Sequence, residues 1–310
     1  MRGVWLENGI FRYRQDLPDP IEGTGEVRLH VLAAGICGTD LELAKGYADF
    51  AGIPGHEFVA RVDNEDPEWA GARVVGNINV GCQACETCLA GLPQHCPGRT
   101  VAGIRNRSGA FAECLSLPRA NLLRVPDSVT TETAVLTEPI AAALEIREQV
   151  ALPDRALVIG AGRLGQLVAA VLSSDAVEID ILVRNPKRQI LSAEGVRTIS
   201  SIGSQYPMVI ECTGQPDGLR SAIAATQARG TVVLKSTHAE AWPMNLNPLV
   251  TNELRLIGSR CGPMDQALGW LGENSLDGLS FERFPFAEIE TAMQAARRPV
   301  PYKVLLTPGD

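Results

Sequence analysis

The residues with most chemistry to offer are cysteines, a histidine and acids. Cys37 stands between glycines in Gly35-Ile36-Cys37-Gly38-Thr39-Asp40, and Pro54-Gly55-His56-Glu57 follows. Thiolate, imidazole and carboxylate are ligand types that zinc accepts, and a catalytic zinc keeps one position open for water or substrate. Taken alone, they are better read as a buried cysteine and a surface histidine. The next segment changes the balance. It carries Cys82, Cys85, Cys88 and Cys96 in C-x2-C-x2-C-x7-C spacing. Four thiolates so spaced can close a tetrahedral shell around one zinc, three from one tight loop and one from its far side. An iron–sulfur cluster also uses close cysteines. Such a cluster needs an electron partner, and nothing else in the chain supplies one. The spacing therefore predicts a structural zinc, with His95 only a spare ligand beside a filled shell.

A second chemistry is written in glycine. Ala156 to Ile159 has a buried strand's composition, and Gly160, Gly162 and Gly165 follow in G-x-G-x-x-G spacing around Arg163 and Leu164. Leu164, Leu167, Val168, Val171 and Leu172 then recur at helical intervals. Strand, glycine turn and helix together predict a dinucleotide site. Gly160 permits the turn, Gly162 lets backbone approach a pyrophosphate, and Gly165 lets helix and sheet pack closely.

These residues need elements to hold them. Val27, Leu29 and Val31 alternate with Arg28 and His30, as in a half-buried strand. Strands are expected also around 111–117, 177–183, 209–212, 230–234, 254–258 and 302–306, and helices over 130–150 and 286–297. His30 reads as an exposed histidine, and Cys114 and Cys212 as packed thiols. The strands after the glycine turn suit a doubly wound sheet. A length of 310 residues allows about two domains. The net charge of −8 argues against general nucleic-acid affinity and against an anionic membrane surface. No apolar run approaches a membrane span, and the charged start Met1-Arg2-Gly3-Val4-Trp5-Leu6-Glu7 has no signal-peptide core. The expected compartment is the cytoplasm, where eight cysteines point to metal or catalysis rather than disulfides.

In the order Gly35–Asp40, Gly55-His56-Glu57, the four-cysteine lobe, Thr137-Glu138-Pro139 and the turn at Gly160, the chain resembles the zinc-containing alcohol dehydrogenases. These are medium-chain dehydrogenases/reductases, and the likeness is to their polyol, threonine and glucose dehydrogenase branches. The resemblance implies an α/β protein. A GroES-like, β-rich catalytic domain would span 1–139 and 261–310, and a Rossmann domain 140–260, with the active site in the cleft between them. It implies that Cys37 and His56 bind a catalytic zinc with Glu138 as third ligand, and that Glu57 is an outer or exchangeable one. Thr39 would pass on the substrate proton. Glu42 stands where the family often ends that relay on histidine, so a carboxylate or water ends it here. Ala60 replaces a family glycine, and the 40–54 segment is short. Thr213 and Gly214 match cofactor contacts, and Lys303 a cation near the cofactor phosphates, although a surface lysine is the simpler reading.

For the ribose, Asp180 fits the count of about 20 residues beyond the turn but falls mid-strand. Arg184 stands at the strand tip, with Lys187 and Arg188 after it. An arginine there pairs with a 2′-phosphate, which favours NADP over NAD. Together these imply a zinc-dependent oxidoreductase with two zincs per chain. It would move hydride between NAD(P) and a polar secondary alcohol, polyol or sugar, as a homodimer or homotetramer. The rivals are a zinc-independent quinone or enoyl reductase and a non-catalytic dinucleotide or zinc sensor.

Overall fold

The computed structural model describes residues 1–63, 66, 68–185, 191–237, 243–300 and 302–309. They form two compact units. The first comprises Met1–Glu138, Leu268–Glu273 and Phe281–Asp310, and the second Pro139–Ala267 and Asn274–Ser280. Among the described residues, no helix is long and apolar enough to cross a membrane.

The first unit is organised on strand Glu26–Gly35. Val27, Leu29 and Val31 turn into the core while His30 faces out, as the alternation predicts. Three strands pair with it antiparallel: Glu57–Val62, Cys114–Pro118 and Lys303–Thr307. The strand near the C-terminal end of the chain therefore sits beside one near its start, with Leu305 opposite Gly35. Strand Phe281–Pro285 adds parallel to it, beyond the pattern the sequence offered. Leu29, Val31, Phe58, Phe111, Leu115, Val304 and Leu306 share one core, against which helix Ile289–Ala295 packs Ile289, Ala292 and Met293. Burying each such side chain is worth about 1.5–3 kcal/mol. Cys114 is buried, as expected of a packed thiol.

The second unit holds a parallel sheet. Its order is Val196–Ile199, Glu178–Leu182, Arg155–Ile159, Tyr206–Glu211, Thr226–Leu234 and Arg255–Gly258. Numbered along the chain this is 3-2-1-4-5-6, the doubly wound order whose crevice lies at the carboxyl ends where the order reverses. Strand Val196–Ile199 escaped the sequence reading because its side chains are largely solvated and lack an apolar alternation.

Candidate active site

Register brings the first cluster together. Gly35, at the end of its strand, lies opposite Glu57, at the start of the next. The residues just outside the pairing, Cys37 and His56, therefore meet at one sheet end. Cys37 caps helix Gly38–Leu43, and Asp40 in its first turn accepts the Cys37 N–H at 2.8 Å. This reciprocal cap fixes the Cys37 backbone. The ligand atoms of Cys37, His56 and Glu57 lie within 4.8 Å of one another. Thr39 Oγ1 is 3.8 Å from Cys37 Sγ.

Asp40 also lies 3.4 Å from His56 Nδ1, and both side chains are buried. A carboxylate on one ring nitrogen orients the imidazole and leaves Nε2 for a metal. Burial pulls the His56 pKa down, but the nearby charge of Asp40, with help from Cys37, overcomes it and the net shift is well upward. The sequence reading gave Asp40 no role; its place three residues after the cap could have signalled the capping bond but not the contact with His56.

Glu57 is 1% exposed, and its Oε2 is ion-paired to the ammonium of Lys303, itself 2% exposed. The simpler alternative, a surface lysine, is ruled out, since the strand carrying Lys303 lies inside the sheet. Gly35 keeps the space for this pair. A Cβ there would meet Lys303 Cε at 2.6 Å, Glu57 Oε2 at 2.8 Å and Val135 Cγ1 at 2.8 Å. Glu138 stands in the first turn of helix Thr137–Gln149, outside the Cys37–His56–Glu57 cluster found among the described residues. Glu42 is held by Lys45 at 2.6 Å.

The thiols of Cys82, Cys85, Cys88 and Cys96 also lie within 4.8 Å of one another, and all are free of disulfides. Sγ separations of 4.0 Å for Cys82–Cys88 and 3.7 Å for Cys85–Cys96 compare with the roughly 3.8 Å expected for a tetrahedron of Zn–S bonds about 2.3 Å long. Their acidities diverge. Backbone N–H groups of Ala84 and Cys85 lower Cys82 to about 6, whereas desolvation and the neighbouring thiols raise Cys88 to about 12. Four thiolates this close repel one another unless a cation sits among them. The donor set fits zinc.

In the second unit, Gly160 has φ +110, and Gly162, which has no side chain to cap with, stands at the N-cap of helix Arg163–Ser173. A Cβ at Gly165 would lie 1.9 Å from Gly160 O, so helix and turn touch through backbone. Beside them is a groove of about 230 Å³, lined by Gly160, Gly162, Val183, Arg184, Asn185, Cys212 and Thr213 among others. Arg163, Leu164 and Gly214 are half-buried near the same turns. A glycine-capped helix start beside a groove fits a dinucleotide's phosphates. The Cys212 thiol is pushed up by burial and further by Glu211, but the residue is half-buried and lines the groove instead of sitting in the core as the sequence suggested.

Asp180, which fits the count but falls mid-strand, is enclosed and not open to a ribose. It is 3% exposed and bound by Arg197 at 2.6 Å, Tyr206 at 2.6 Å and Arg155 at 2.5 Å. These partners hold it in the middle of the sheet. Arg184, at the strand tip, is exposed and lines the groove, whereas Lys187, Arg188 and His238 lie outside the described residues. Sequence reasoning missed buried Lys235, which donates to Ala142 O at 2.5 Å and to Ser259 Oγ at 2.9 Å. It also gave no role to Glu211. No local pattern marks either.

Residues 23–127 match the alcohol dehydrogenase GroES-like domain family. An L-threonine 3-dehydrogenase of Streptomyces coelicolor is 30% identical over 288 residues, covering 83% of this chain and 80% of that protein. The chain belongs to the zinc-containing alcohol dehydrogenase family. It is similar also to a 2-dehydro-3-deoxy-L-galactonate 5-dehydrogenase of Pseudoalteromonas atlantica, 29% identical over 297 residues, 86% of this chain and 87% of that one. Two solved structures share the fold at 24% identity, each covering 99% of both chains. One is an alcohol dehydrogenase of Escherichia coli CFT073 with NADH (TM-score 0.83), the other a zinc-binding dehydrogenase of Sinorhizobium meliloti with NADP (TM-score 0.84). The chain is thus an NAD(P)-dependent alcohol dehydrogenase, built from a GroES-like domain and a Rossmann sheet.

Proposed function

We propose that this enzyme oxidises a polar secondary alcohol, of the polyol, sugar or sugar-acid class, with NADP preferred over NAD and two zincs per chain. One observation carries the catalytic assignment: Cys37, His56 and Glu57 converge within 4.8 Å around a buried imidazole backed by Asp40. Zinc there supplies Lewis acidity that makes an alcohol acidic near neutral pH, and the nicotinamide supplies the hydride acceptor. Cys37 and His56 hold the metal. Glu57 is the exchangeable ligand, kept back by Lys303, and Glu138 the remaining candidate. Thr39, beside Cys37, takes the substrate proton. Because Lys45 engages Glu42, water carries that proton onward.

Cys82, Cys85, Cys88 and Cys96 hold the second zinc, which ties the lobe together. The groove at Gly160 takes the dinucleotide. Arg184 at its rim, with no acid at that strand tip, supports the 2′-phosphate. The named sugar-acid and threonine dehydrogenase relatives support a polar, hydroxyl-bearing substrate. We place the enzyme in the cytoplasm as a homodimer or homotetramer. The outer strand Arg255–Gly258, with Leu246, Val250 and Leu256 exposed nearby, suits a second copy.

The test is to count zinc in purified protein, titrate NADPH and NADH by fluorescence, and screen polyols, aldonates and simple alkanols. Two zincs, tighter NADPH and turnover confined to polyhydroxylated substrates are expected. Turnover of simple alkanols alone overturns the substrate class. One zinc per chain with full activity overturns the Cys37–His56 site.

A further inference from the structure

The acid ending strand Tyr206–Glu211 has no part in the assignments above, and it is fully buried. Its Oε2 has no hydrogen-bond partner among the described residues. A buried carboxylate with an idle oxygen costs stability, so what the other oxygen does matters. Glu211 Oε1 accepts two bonds from one residue: the Thr213 N–H at 2.6 Å and the Thr213 hydroxyl. That hydroxyl accepts in turn from the Gln215 N–H at 3.0 Å. The Gly214 N–H donates to Ser236 Oγ at 2.9 Å. Three successive amides and the threonine hydroxyl proton are therefore all spent within the chain.

Two glycines from separate segments reserve space for this turn. A Cβ at Gly218 would lie 1.9 Å from Thr213 Oγ1 and 2.7 Å from Glu211 Oε1. A Cβ at Gly160 would lie 2.7 Å from the Cys212 carbonyl carbon and 2.8 Å from Thr213 N. Cys212 and Thr213 are also walls of the groove that begins at Gly160.

We propose that Glu211 is a positioning residue for the dinucleotide: through Thr213 it fixes the groove wall facing the glycine turn. This rests on the assignment of that groove to the dinucleotide. With its donors consumed, Thr213 meets the cofactor through its carbon surface and backbone carbonyl, not as a hydrogen-bond donor. Without Glu211 the turn is free to rotate, and the cofactor must bear the cost of reordering it.

The experiment measures NADPH and NADH dissociation constants, zinc content, melting temperature, and alcohol KM at saturating dinucleotide. It compares wild type with Thr213→Val, Thr213→Ser, Glu211→Leu and Glu211→Gln. Thr213→Val and Glu211→Leu should weaken the dinucleotide about tenfold, or about 1.4 kcal/mol, with alcohol KM and zinc unchanged. Thr213→Ser and Glu211→Gln, which keep donor and acceptor, should recover most of that loss. If Glu211→Leu fails to fold, Thr213→Val carries the test, since it deletes one hydroxyl. Wild-type affinity in Thr213→Val overturns the inference, as does a loss in which alcohol KM, zinc content and melting temperature all move with the dinucleotide. Dinucleotide affinity left unchanged by Gly162→Val, which puts bulk into the groove where the chain itself leaves room, overturns the groove assignment, and the inference with it.

Discussion

Replacing Lys303 by methionine tests the charge arrangement at the catalytic cluster. Lys303 and Glu57 are 2% and 1% exposed, and the ammonium is the cation paired with Glu57 Oε2. Methionine keeps the length and apolar stem but leaves a buried carboxylate without its counter-charge. Breaking one side of such a pair costs about 3–5 kcal/mol, a large part of a stability that is commonly 5–15 kcal/mol. The metal should change this cost. With zinc loaded, an unrestrained Glu57 can turn to the cation beside Cys37 and His56, because its carboxylate already lies within 4.8 Å of both ligand atoms. The assay is urea unfolding of Lys303→Met, Glu57→Gln and the double variant, each with and without zinc. Lys303→Met should lose about 3–5 kcal/mol without zinc and clearly less with it. The double variant should be less damaged than the sum of the singles, because neither charge is then stranded. Turnover of zinc-loaded Lys303→Met should fall as Glu57 occupies the cluster. A loss below about 0.5 kcal/mol without zinc, the size of an ordinary surface change, would refute the reasoning.

Arg184→Ala should weaken NADPH about tenfold or more while leaving NADH within about twofold, read by fluorescence titration; a cation on a 2′-phosphate gives that asymmetry. Cys88→Ser should remove one zinc equivalent and loosen the cysteine lobe, read by metal analysis and limited proteolysis, because three thiolates leave the shell open. The Asp180 carboxyl is held well below the usual carboxylate range, chiefly by Arg197, against burial, with Tyr206 and Arg155 adding. Its folded pKa lies below its unfolded one, so its contribution is complete above about pH 4 and fades as pH falls toward the folded value. Asp180→Asn should therefore cost about 1.5–3 kcal/mol at pH 7. The gap to wild type should narrow below about pH 4 in urea melts run across pH.

Much of this site could be read from the chain because its parts are local. A thiol between glycines, four cysteines in one loop and three glycines after an apolar run each carry their meaning within a few residues. The alternation of Val27, Leu29 and Val31 placed the central strand for the same reason. What escaped depends on register between distant strands. Asp180 satisfies a count along the chain, yet the parallel pairing sets it opposite Arg197 and encloses it. Lys303 reaches Glu57 only because its strand inserts beside Glu26–Gly35. Glu211 sits in an apolar strand as an odd acid, and its meaning lies two residues ahead in Thr213.

The strand Lys303–Thr307 belongs to the first unit, although the whole second unit precedes it in the chain. On the ribosome, Glu57 therefore emerges long before its counter-charge is translated, by tens of seconds at about 5–20 residues per second. Throughout that interval the nascent polypeptide owns its thiol and imidazole donors but not the lysine that restrains the neighbouring acid. Metal arriving then would meet three competent donors instead of two. Under the proposed zinc assignment, the order of synthesis would set a window for early metal capture, and the closing strand would afterwards pair the acid with Lys303 and withdraw it from the cluster.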